Sequence, residues 1–190
     1  MMNKVERLED YTNAVIAIVI TLMVLDIHAP TGHFFSDILQ ANDHFLTYIY
    51  SSLLISMYWV NHGRLFSGLK HLKITPQVSW ANSIFLLFIT FLPFASSWLA
   101  RNINQRDPEM FYAAIMLCID LSYYLLMRTL IHFNPSLNTL SRFKVYHFKL
   151  HLNLVINILA ICCGYVVPIS TIAISLLAVV IWVISDKALK

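Results

Sequence analysis

Six apolar blocks alternate with short polar segments along the chain. They cover about residues 8–27, 45–66, 78–99, 110–131, 150–167 and 169–184. Each is close to the ~20 residues with which a helix crosses a bilayer, where every backbone N–H and C=O must be bonded internally. Pro30 and Gly32 follow the first block, Pro93 lies near the outer end of the third, and Pro168 separates the last two. The pattern predicts an all-α membrane protein with six transmembrane helices. The connections are too short for a soluble domain, so residues 1–190 read as one transmembrane domain.

Composition agrees. Hydrophobic residues make up 58% of the chain and charged residues 12%, about half the charge of an ordinary soluble domain. A net charge of +3 is too small to suggest a nucleic-acid partner. The cations are informative by position. Lys4, Arg7, Arg64, Lys70, Lys73, Arg128, Arg142, Lys144, Lys149, Lys187 and Lys190 fall in segments on one side, and only Arg101 and Arg106 on the other. The positive-inside bias then puts the N and C termini in the cytoplasm of a multi-pass cell-membrane protein. Glu6, Glu9 and Asp10 crowd the start of the first block, which argues against a cleaved signal peptide. Cys118, Cys162 and Cys163 lie within apolar blocks and read as small buried hydrophobes, not as a disulfide.

At ~100° per residue, Ala14, Ile18, Thr21, Leu22 and Leu25 share one face of the first helix, an apolar stripe with one hydroxyl. Asn13, Ile16, Ile20 and Val24 point roughly the other way. Ordinary packing or lipid contact would explain such a stripe. Asp26 sits at its outer end, where a ring of carboxylates would concentrate cations. Elsewhere, Asp120 falls inside the fourth span and is expected to bond to a neighbouring helix, since a charge at the bilayer centre costs at least about 2.5–3.5 kcal/mol. Asn153, Asn157, Ala160 and Gly164 share a face of the fifth span, a spacing typical of close helix packing. Residues 132–149 suggest a helix lying at the cytoplasmic surface.

Three stretches resemble one family. Arg7-x-x-x-Tyr11-Thr12-Asn13 followed by Ala17-Ile18-x-x-Thr21-x-x-x-Leu25 resembles the opening signature of the transmembrane protein 175 potassium-channel family, Arg-x-x-x-Phe-Ser-Asp and then Ala-Ile-x-x-Thr-x-x-x-Leu. Tyr58-Trp59-x-x-His62 is similar to its aromatic-Trp-x-x-His motif, and the run from Asn82 to Phe94 to its third helix. The specific matches lie in the first half of the chain.

The resemblance implies a homotetramer in the lipid bilayer, with the first helix of each six-helix subunit lining a central pore for K+. It implies an apolar constriction at Ile18, with Thr21 and Leu25 as further pore layers; Leu22 on the same helical face and Asp26 at its outer end would then also lie along the ion path. Arg7, Tyr11, Thr12, Asn13, Trp59 and His62 would form the network that ties this helix to the second. Each position of the triplet differs from the pattern. Asn13 keeps hydrogen-bonding capacity but lacks the charge that makes such a bond about twice as strong.

The four glycines form no Thr-Val-Gly-Tyr-Gly-type loop, so a carbonyl-lined filter is excluded. Metalloprotease, nucleophile-elbow and phosphate-loop motifs are missing as well, and neither an enzyme nor an enzymatic cofactor is expected. A small ion-coupled secondary transporter built around Pro93 and Asp120, and a non-conducting membrane subunit, are the alternatives to a potassium-selective or weakly selective channel.

Overall fold

The computed structural model describes residues 3–27, 32–34, 42–66, 72–168 and 170–184, and among them the secondary structure is helical. The helices are α1 (Lys4–Leu25), α2 (Asn42–Phe66), α3 (Pro76–Ile89), α4 (Leu92–Arg101), α5 (Arg106–Phe133), α6 (Ser141–Val166) and α7 (Ser170–Ile184), with a short 3-10 helix at Pro135–Thr139. Pro30, Lys70, Lys187 and Lys190, used above for span ends and orientation, lie outside the described residues.

Local chemistry explains the helix limits. Asn3 caps α1, accepting from the Val5 amide while Glu6 reaches back to the Asn3 amide, so two of the orphan N–H groups at the helix start are satisfied. Thr75 caps α3, and Pro76 occupies its first turn, where a missing N–H costs nothing. The third apolar block is divided. Pro93 lacks an N–H and its ring crowds the carbonyl four residues earlier, so the helix breaks at Thr90 and Phe91 and resumes as α4. The backbone there stays close to helical, and Pro76–Arg101 still reads as one span.

Among the described residues, four segments are long and apolar enough to cross a membrane: Lys4–Leu25, Pro76–Arg101, Arg106–Phe133 and Phe143–Val166. The second and sixth apolar blocks form α2 and α7. The surface helix expected over residues 132–149 is replaced by the 3-10 turn and by α6, which runs unbroken from Ser141. No Gly or Pro interrupts the sequence between Ser141 and Gly164. The helix therefore continues through the basic stretch, and Lys149 is buried within the bundle. Cys162 and Cys163 are exposed on α6 and Cys118 is half-buried, so the expectation of three buried cysteines fails. All three are free thiols.

Helix α5 is the centre of the bundle, packed by α3, α4, α6 and α7. Tyr112, Met116, Ile119, Tyr123, Met127 and Leu130 fill the interior from it. Helix α1 lies to one flank against α2, α3 and α4. Its buried residues Val5, Leu8, Thr12, Ile16, Val19 and Met23 recur every three or four positions, a single stripe that leaves the rest of the helix uncovered.

Candidate ion path and the polar ties behind it

The uncovered side of α1 holds Ala14, Ile18, Thr21, Leu22 and Leu25. Ile18 is 58% exposed and Leu25 74%, although both are large aliphatic residues in the middle and last turn of an apolar helix. The Thr21 hydroxyl donates to the Ile18 carbonyl at 2.8 Å, so its oxygen remains free to accept along this face. Asp26 caps the helix, its amide directed at the carbonyls of Met23 and Val24, and its side chain is half-exposed. The stripe is therefore a continuous outward face ending in a carboxylate.

Behind it, Thr12 is fully buried and stands at the junction of three helices. A directional chain of hydrogen bonds passes through it. His62 Nε2 lies 2.8 Å from Asn82 Oδ1, Asn82 Nδ2 donates to Thr12 Oγ1 at 3.0 Å, and Thr12 Oγ1 donates to the Leu8 carbonyl at 3.0 Å. The chain is self-consistent when His62 carries its proton on Nε2. The imidazole stacks on Phe85 with 6.0 Å between ring centroids and 8° between planes. A second tie runs from Trp59 Nε1 to Asn13 Oδ1 at 2.8 Å, linking α1 to α2 nearer the surface.

The structure thus brings Thr12 and His62 together, and Asn13 and Trp59. Arg7 and Tyr11 are exposed and stand outside both ties. The sequence reading missed Asn82 as a member. An amide within the apolar run of α3 is the signal that could have found it, because such a group needs partners.

A separate polar cluster surrounds Asp120 on α5. Tyr58 Oη donates to its Oδ1 at 2.5 Å, Asn153 Nδ2 donates to both oxygens at 2.9 and 2.8 Å, and Asn157 Nδ2 donates to Oδ2. A carboxylate accepts only, and these donors on α2 and α6 supply what it needs. The face of Asn153, Asn157, Ala160 and Gly164 is buried as expected. It does more than pack, since its two amides are the partners of Asp120. Among the described residues no group of three or more His, Cys, Asp or Glu side chains is arranged to hold a metal ion.

Residues 7–93 match the family described as endosomal/lysosomal potassium channel TMEM175. That segment contains both ties and the whole exposed stripe. A protein of Chryseobacterium sp. strain P1-3 named as a potassium channel is 28% identical over 184 residues, 97% of this chain and 95% of that protein. Another so named, from Chamaesiphon minutus, is 31% identical over 126 residues, 62% of this chain and 61% of that one. The fold is similar to the crystal structure of a lysosomal potassium-selective channel TMEM175 homologue from Chamaesiphon minutus. The TM-score is 0.81 at 22% identity, with 96% of this chain and 97% of that one covered.

Proposed function

Because the chain belongs to the TMEM175 family of potassium channels, we propose that it is a potassium channel whose pore is lined by α1. The observation that carries the proposal is the uncovered stripe of α1, apolar but for one hydroxyl and held from behind by polar ties. Four copies of a single six-span domain, with both termini cytoplasmic, surround the pore in the cell membrane. Ile18 forms the narrow layer, Thr21, Leu22 and Leu25 line the outer half, and Asp26 draws cations to the mouth. A ring of isoleucines has no oxygen to replace hydration water. K+ therefore passes with part of its shell when α1 moves outward, and the Thr21 hydroxyls receive it beyond the ring. Thr12, Asn13, Trp59 and His62, with Arg7 and Tyr11 beside them, set how far α1 can move.

The transporter reading needs an ionisable group free to exchange its ligand. Asp120 is occupied by donors from within its own subunit, which speaks against that role. The test is K+ efflux from liposomes holding the purified protein, with light scattering to give the mass of the detergent complex. Passive K+ flux from a four-subunit particle is expected. Saturable flux that needs a proton gradient, or no flux at all, would overturn the proposal.

A further inference from the structure

Arg101 and Arg106, the two cations that the sequence places on the far side of the membrane from the N terminus, meet in one groove. It encloses about 930 Å3 between the end of α4, the start of α5 and the end of α6. Gln105 and Asp107 add to its polar lining, and Ile103, Val166 and Pro168 give it apolar walls. Two aromatic residues, Trp98 and Tyr165, also line it. The Arg106 guanidinium lies 5.1 Å from the centre of the Tyr165 ring, and Trp98 packs on Phe111 with 5.4 Å between ring centroids. Three of the segments long enough to cross a membrane begin or end here, at Arg101, Arg106 and Val166. The groove therefore sits where hydrocarbon gives way to headgroups, the level that Trp and Tyr favour.

We infer that this groove holds the headgroup of an anionic glycerophospholipid, with the phosphodiester between Arg101 and Arg106. The inference rests on the membrane spans and not on the pore. Among the described residues Arg101 has no ion-pair partner. Arg106 meets Asp107 only at 3.5 Å, between side chains 53% and 78% exposed, and such a surface pair contributes little. Two guanidiniums and one carboxylate leave the lining with a net positive charge, which suits a phosphodiester whose head is otherwise uncharged. Glu109 follows Pro108 in sequence but is fully buried and does not line the groove. The planar fork of arginine matches phosphate oxygens, and its charge-assisted bonds are about twice as strong as neutral ones. A soluble anion would use the polar lining alone. The apolar walls favour a lipid, because they lead onto a track for its chains. Val166, Cys162, Leu159 and Val155 recur every three or four residues down α6, and all four are exposed.

The test uses the purified full chain, stripped of lipid in a neutral detergent. Its unfolding temperature is followed as phosphatidylglycerol, phosphatidylcholine or inorganic phosphate is added. Phosphatidylglycerol should raise it at low mole fraction, and the other two should not. Arg101→Gln should weaken the half-saturating phosphatidylglycerol by about fivefold, and Arg101→Gln/Arg106→Gln by roughly 25-fold. Arg101 is exposed, so the single variant reads the site even where the double variant fails to fold. Arg128→Gln/Lys144→Gln, which removes two exposed cations outside the groove, should leave the response unchanged. An equal shift with phosphatidylcholine, or no shift with any addition, overturns the inference. So does a phosphatidylglycerol response that survives Arg101→Gln, or one that falls as far in Arg128→Gln/Lys144→Gln. A shift with inorganic phosphate as large as that with lipid overturns it in favour of a soluble anion.

Discussion

Replacing Thr12 by Val removes one hydroxyl from the junction of α1, α2 and α3 and leaves nearly the same shape, so no cavity opens. The bond lost inside α1 goes with its own donor. The consequence falls on Asn82, whose Nδ2 now donates at 3.0 Å to Thr12 and is buried with it. A buried donor left without an acceptor costs about 1–3 kcal/mol. At roughly 2–4 °C per kcal/mol for a chain of this size, Thr12→Val should lower the unfolding temperature in detergent by several degrees. A double-mutant cycle separates this cause from general disturbance. In Thr12→Val/Asn82→Leu the orphaned amide is gone, so the pair should cost less than the sum of the singles by about 0.5–3 kcal/mol, the range for residues in one network. Additivity within about 0.3–0.5 kcal/mol would refute the claim that the hydroxyl and the amide act as one tie.

Asp120→Leu should be far more severe, because the Tyr58 hydroxyl and the Asn153 and Asn157 amides all lose their acceptor. At about 1–3 kcal/mol each this approaches the whole stability of a domain, and monodisperse protein should not be recovered by size exclusion. Asp120→Asn, which keeps one acceptor oxygen, should be recovered with a lowered unfolding temperature. Gly164→Ala places a methyl against Thr171 Oγ1 where α6 meets α7. Overpacking of this kind costs about 1–3 kcal/mol, and thermal unfolding of the variant should show it.

Hydrophobic length and charge placement made the membrane class legible, because a bilayer imposes its thickness on every span. Long-range pairing was not legible in the same way. Asp120 and the Asn153–Asn157 pair could each be recognised as polar groups in need of partners, yet nothing in a linear pattern says that α5 and α6 face each other at that level. The two departures from the hydropathy pattern have opposite causes. Pro93 divides a block that hydropathy reads as continuous. The basic stretch from Arg142 to Lys149 looks like an interruption to hydropathy but contains no residue that stops a helix. On α1 the exposed stripe fell where periodicity placed it. The buried stripe centres on Thr12, roughly one residue step round from Asn13, because the bundle covers α1 from one flank and not from directly behind.

Whether the Ile18 face conducts is tested most directly by comparing two exposed positions with one substitution. Ile18→Asn puts an amide into the layer proposed to be narrowest, and Leu121→Asn puts the same amide on the exposed face of α5. In K+ efflux from liposomes of equal protein content, Ile18→Asn should raise the flux well above wild type and Leu121→Asn should leave it unchanged. Equal responses from the two variants, or an Ile18→Asn protein indistinguishable from wild type, would contradict a pore lined by α1.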